Sequence, residues 1–163
     1  MKNYKPFSNL QLTTLVVLRI IIGWHLLFEG FAKLLNPNWS SVGFLRESQW
    51  IMSGFAHWVT SNGGVLNVVD FLNTWGLIAI GLTLILGLFS RTGAFLGAAL
   101  LFVYYLNNPP LTGIEYSLPT EGNNLIVNKT LIEAVALFML ALFPTSHIVG
   151  LDLFINRTRK KNQ

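Results

Sequence analysis

RIIIGWHLLFEGFAKL, from Arg19 to Leu34, is an apolar run interrupted by an arginine, a histidine, a glutamate and a lysine. A charge buried in hydrocarbon costs at least ~2.5 kcal/mol, so the arrangement of these four groups decides how the stretch is read. At about 100° per residue, Arg19, Gly23, Gly30 and Lys33 fall on one narrow stripe, with His25 and Glu29 beside it. Glu29 precedes Lys33 by four residues, the favourable order for a helical ion pair. A helix with all its polar atoms on one face and oil on the rest belongs in a membrane. Its polar stripe then points into a bundle, where the two glycines leave room beside the charges.

The rest of the chain agrees. Of its 163 residues 52% are hydrophobic and only 11% charged, against about 25% charged in ordinary soluble domains. The mean hydropathy is +0.53, and the length suits a single domain of a few spans. There is no cysteine, which excludes disulfides, thiolate nucleophiles, Fe–S clusters and cysteine zinc sites. The net charge of +4 reports orientation in a membrane and not nucleic acid. Lys2 and Lys5 resemble the start of a signal peptide. Arg19 nevertheless interrupts the apolar run and no small-residue cleavage site follows Phe31, so the first segment reads as an uncleaved span.

Four segments qualify as spans, at about 12–35, 65–89, 92–108 and 125–143. The middle two have short apolar bodies, which leaves a re-entrant hairpin as an alternative. Ser90-Arg91-Thr92 allows only a tight helical hairpin, and Pro144 ends the fourth span. Lys and Arg concentrate on one side, at Lys2, Lys5, Arg91 and the basic tail 156–163, which places both termini in the cytoplasm. In the first outer loop, Phe44, Ile51, Phe55 and Trp58 recur near helical spacing after Ser40 or Ser41, a candidate N-cap. This predicts one amphipathic helix lying in the interface. The second outer loop, Asn107 to Asn124, is irregular and rich in Pro, Gly and Asn. Gly93 and Gly97 form a G-x-x-x-G, read as helix packing. The expected fold is therefore an all-α integral membrane protein, a four-helix transmembrane bundle with an interfacial helix.

Complementary polar groups lie on the other spans. Asn67, Asp70 and Thr74 form a stripe at the outer end of the second, while the fourth contributes Asn128, Lys129 and Glu133. Arg19 and Glu133 both lie near mid-depth, so an Arg19–Glu133 pair is expected. Such a pair either serves function or only registers the helices. Lys33, with Asp70 as the alternative partner, and Lys129 sit nearer the outer surface. Two facing histidines at one depth, which haem would need, are missing, since His25, His57 and His147 fall at three different levels. No phosphate loop or metal motif is present.

Three runs carry a family resemblance. They are LRIIIGWHLLFEGFAKL in the first span, WGLIAIGLTLILGLFSRTGAFLGAALLFVYYLNNPP across the second and third, and VNKTLIEAVALFMLAL followed by GLDLF. Together they resemble the DoxX family of four-span bacterial membrane proteins, and within it the small, DoxD-like subunits of thiosulfate:quinone oxidoreductases. The positions matching the family pattern are Arg19, Gly23, Gly30, Lys33, Glu133 and Asp152. The Gly/Arg-rich turn common before that aspartate reads PTSHIVG here. The resemblance implies a multi-pass protein of the bacterial inner membrane, embedded in lipid and serving as the quinone-linked subunit of an oxidoreductase. A second subunit is implied, with thiosulfate or another sulfur compound as substrate, and self-association into a homo-oligomer is compatible. Arg19, Lys33, Asp70, Asn128 and Lys129 would then hold a non-covalent quinone. Glu29, Glu133 and His25 would relay protons, and Gly23, Gly30, Gly93, Gly97 and Asp152 would be structural. The alternative is a non-catalytic membrane protein that anchors a partner or binds a small amphipathic ligand.

Overall fold

The computed structural model describes residues 7–111, 116 and 125–153, and the elements among them are six helices. The basic tail 156–163, Lys2, Lys5 and most of the Pro/Gly/Asn-rich loop lie outside the described residues.

Helix α1 runs from Asn9 to Leu34. It starts three residues before the expected Leu12 because Ser8 and Gln11 close a capping box. The Gln11 amide donates to Ser8 Oγ at 3.2 Å, and the Ser8 amide donates to Gln11 Oε1 at 2.8 Å, which satisfies amides that have no partner inside the helix. Helix α4, Gly63–Leu86, ends where Gly87 turns left-handed at φ 64°. Helices α5, Ser90–Asn107, and α6, Lys129–Leu142, complete a bundle. In it α1 packs chiefly on α4, α5 on α6 and on α4, and α1 meets α6 along a thinner seam. By length and composition α1 and α4 are apolar enough to cross a membrane.

Small residues set the spacing. A Cβ on Gly23 would sit 2.9 Å from Leu84 Cβ, and one on Gly30 would sit 2.9 Å from the Ile78 amide nitrogen. Gly81 faces them from α4, where a Cβ would approach the Gly23 carbonyl to 2.7 Å. The room beside the first helix's charges, expected to lie open, is therefore filled by the α4 backbone. Gly93 meets Thr83 and Gly97 meets Ile80 and Leu137 in the same manner. Inside, Ile22, Leu26, Leu77, Leu84, Leu101 and Leu137 form one apolar core. Trp24, Phe28, Phe71, Phe95 and Ile132 are exposed on the outside, as suits a surface that meets lipid and not water.

The single interfacial helix expected in the first loop is two helices, α2 (Val42–Arg46) and α3 (Ser53–Ser61). Their buried residues are Leu45, Ala56 and Val59, which pack with Val65, Leu66 and Val69 of α4. On one straight helix Leu45 and Ala56 would be about 16 Å apart. Breaking the helix over residues 47–52 folds both onto the same patch. The anticipated apolar residues Ile51, Phe55 and Trp58 are exposed on the outer surface. Ser41 does occupy the N-cap position of α2, but its side chain makes no capping bond there.

Candidate functional site

The charges of α1 divide into two separate groups. Arg19 is buried at 3% exposure. Its guanidinium donates to Thr145 Oγ1 at 3.0 Å and to the Val149 carbonyl at 2.9 Å, and it lies within electrostatic reach of Asp152. Asp152 Oδ1 in turn accepts the Phe89 amide at 2.9 Å. The segment after α6 crosses the α4–α5 turn, where the amides of Leu151 and Asp152 donate to the carbonyls of Leu86 and Gly87. Gly87 and Gly150 touch at this crossing: a Cβ on Gly87 would lie 2.7 Å from the Gly150 Cα. Arg19 thus ties α1 to both connections at one end of the bundle.

The expected Arg19–Glu133 pair is not formed. Glu133 lies one turn inside the start of α6, which puts it level with the later part of α1. Arg19 is six residues, about 9 Å, further toward the N-terminus of α1 than His25. Helical side chains also lean toward the N-terminus, which carries the guanidinium further still from Glu133. The Arg19 Nε–H is buried without a partner, but at 3% exposure the guanidinium presents almost no surface to a ligand from outside.

Glu133 pairs instead with His25. The His25 Nδ1–H donates to Glu133 Oε1 at 2.7 Å, and the side chains are 36% and 13% exposed respectively, so one side of the imidazole stays accessible. One turn further along α1, Lys33 Nζ donates to Glu29 Oε2 at 2.9 Å and stands over the Trp39 ring at 5.5 Å. Glu29 is also within electrostatic reach of His25 and Lys129. The structure therefore brings together His25, Glu29, Lys33, Lys129 and Glu133. Their charges alternate in sign across the α1–α6 seam, and the centre of the group is a carboxylate–imidazole pair able to hold or pass one proton.

Two residues expected in this group serve the backbone. Asp70 accepts from the amide of Ser41 at 2.9 Å and from its hydroxyl, which pins the start of α2 to α4. Asn128 caps α6, its Oδ1 accepting the Leu131 amide at 2.9 Å. An Asn one residue before a helix and an Asp facing a chain entry are strong backbone acceptors. Thr145 and the Val149 carbonyl were legible only as part of a turn after Pro144, because nothing local marks a carbonyl as the partner of a residue 130 positions away. Among the described residues no cluster of His, Cys, Asp or Glu is arranged to hold a metal.

No curated protein and no solved structure matches the chain. A family model, DoxX, matches residues 14–107. That range is well over half of the chain and takes in Arg19, His25, Glu29 and Lys33, the two short helices and the tight α4–α5 turn. The chain belongs to the DoxX family.

Proposed function

We propose that the chain is the quinone-linked membrane subunit of a DoxX-type oxidoreductase, with all four bundle helices crossing a bacterial inner membrane and both termini cytoplasmic. The observation that carries this reading is the half-accessible His25–Glu133 pair, flanked by Glu29, Lys33 and Lys129. The hydrogen bond to Glu133 occupies one side of the ring and leaves the other open, which suits proton exchange with a visiting molecule. A lipid-soluble quinone supplies the redox chemistry when bound, and its reduction requires two protons. Once protonated, His25 would donate from the open side of its ring and take each replacement proton from water. The Glu133 carboxylate would orient the ring and stabilise its charged form, and Lys33 and Lys129 would favour negative charge nearby. The electrons come from a second subunit that oxidises thiosulfate or a related sulfur compound.

Purification in mild detergent should recover the chain with a redox partner and extractable quinone. Glu133→Gln and His25→Asn should then lower quinone reduction by about 10²-fold or more, the usual scale of general acid–base catalysis, with unchanged assembly. Neither quinone nor redox partner in the preparation, or wild-type turnover in both variants, would overturn the reading.

A further inference from the structure

Charge is divided unevenly between the two ends of the bundle. The end where α1 starts and α6 stops also holds the α4–α5 turn, with Arg91 exposed just beyond it. In the sequence Lys2 and Lys5 lead into α1, and Arg157, Arg159, Lys160 and Lys161 follow Leu153. Of the chain's seven carboxylates, Asp152 alone belongs to this end. It is 8% exposed, accepts the Phe89 amide and lies within electrostatic reach of Arg19, so it neutralises none of those cations. Basic clusters of this kind beside a membrane span attract anionic headgroups, each Lys or Arg strengthening the attraction about fivefold.

A groove of about 540 Å³ opens at the same end, between α1 and α6. Where α1 meets α4, Gly23, Gly30 and Gly81 bring backbone against backbone. Here the walls are large side chains, Leu10 and Leu15 on α1 facing Met139 and Phe143. The rings of Phe7 and Phe143 meet edge to face, with centroids 6.4 Å apart, and bridge the two walls. Leu10 is 77% exposed and Met139 and Phe143 about half exposed, so the groove lies open to the bundle's surroundings along its side. Its volume falls within the roughly 300–1,000 Å³ of ligand clefts.

The polar lining residues are Gln11 and Thr14, which lie about a turn apart on α1. Gln11 Oε1 already accepts the Ser8 amide, so the groove side of Gln11 has N–H donors to offer, and Thr14 adds a hydroxyl. Lys5 stands two residues before Phe7, at the edge of the groove in sequence. Hydrocarbon walls, neutral donors and neighbouring lysines match a molecule with an aliphatic chain and an anionic head. A second copy of this chain would set the same cationic end against itself, and an acidic soluble protein would leave the apolar walls unmatched.

We infer that the α1–α6 groove is a binding site for an anionic phospholipid, with one acyl chain lying between the helices and the phosphate drawn by Lys2, Lys5, Gln11 and Thr14. The inference requires neither quinone nor a redox partner.

The test is native mass spectrometry of the detergent-solubilised full chain, titrated with phosphatidylglycerol and with phosphatidylcholine of the same acyl chains. Phosphatidylglycerol should bind at least tenfold more tightly, and free glycerol phosphate should not compete with it. Lys2→Gln combined with Lys5→Gln should weaken phosphatidylglycerol at least fivefold and leave phosphatidylcholine unchanged. Leu10→Trp or Thr14→Trp, both at exposed positions, should block the groove and remove the bound lipid without lowering the melting temperature. Equal affinity for the two lipids reduces the groove to a seat for bulk lipid and overturns the inference. Unimpaired binding in both tryptophan variants also overturns it. So does selectivity that disappears on neutralising Arg157, Arg159, Lys160 and Lys161 but survives the loss of Lys2 and Lys5, since the anion then sits at the tail and not at the groove.

Discussion

Replacing Arg19 by Met keeps the side chain's apolar stem and removes its head. Two hydrogen bonds from a charged donor are lost, to Thr145 at 3.0 Å and to the Val149 carbonyl at 2.9 Å. Such bonds contribute about 1.5–3 kcal/mol each, so the change should destabilise the bundle by about 3–6 kcal/mol. That is a large part of a total of about 5–15 kcal/mol. The acidic partner sets a second expectation. Asp152 lies within electrostatic reach of Arg19, so Asp152→Asn and Arg19→Met should couple, the double variant costing about 0.5–3 kcal/mol less than the two singles summed. Glu133→Gln, acting in a separate network, should add to Arg19→Met within about 0.5 kcal/mol. Reversible unfolding in mixed dodecyl maltoside and SDS micelles, followed by tryptophan fluorescence, measures all of these. A loss under about 1 kcal/mol for Arg19→Met, or coupling to Glu133 in place of Asp152, would refute the assignment of Arg19 to the end of the bundle.

Gly30→Ala places a methyl 2.6 Å from Ile78 Cγ1 and 2.9 Å from the Ile78 amide nitrogen; the same unfolding assay should register about 1–3 kcal/mol of overpacking. Gly54→Ala, with nothing within 4 Å of the new methyl, should instead stabilise α3 by up to about 1 kcal/mol. Asp70→Ala frees the amide and hydroxyl of Ser41, and trypsin should then cleave after Arg46 markedly faster than in the parent protein, an unchanged rate counting against the tether. Phe89 has the left-handed φ of 51° at the N-cap of α5. Because its ring is exposed and asparagine tolerates this conformation and caps helices well, Phe89→Asn should raise the melting temperature in detergent or leave it unchanged. A fall of several degrees would show that the ring, and not the backbone, matters there.

The helices were legible because lipid enforces a simple code. A run such as Arg19–Leu34 must be helical to satisfy its backbone, and the stop before Pro144 is written in a residue that cannot continue a helix. The left-handed stop at Gly87 falls short of the expected end of the second span at residue 89. The grouping of His25, Glu29 and Lys33 on one face of α1 followed from the 100° period alone. The break between α2 and α3 was not legible, because periodicity rewards the large apolar residues Ile51, Phe55 and Trp58. The bundle instead selects Leu45, Ala56 and Val59, which fit against α4. In a water-soluble domain the largest apolar side chains go inside; beside a bilayer they are equally content outside, and packing shape decides.

The pairing of charges was missed for a related reason. Sequence gives the depth of a Cα, whereas an arginine head ranges several ångströms along the helix, toward the N-terminus. Starting the fourth span at 125 put Glu133 near the depth of Arg19. Helix α6 starts at Lys129, which leaves Glu133 level with His25, and the arginine head reaches partners past the end of α6 instead. Polar atoms in this bundle are consequently of three kinds. Arg19, Asp70, Asn128 and Asp152 hold loops and ends to the bundle through hydrogen bonds to the Val149 carbonyl and the Ser41, Leu131 and Phe89 amides, with the Arg19 Nε–H left without a partner. His25 and Glu133 are satisfied but reachable. Asn107 leaves its Oδ1 buried without a donor, while the Tyr104 hydroxyl and the Asn73 side chain face each other. Of these, the His25–Glu133 pair combines an exchangeable proton with exposed surface.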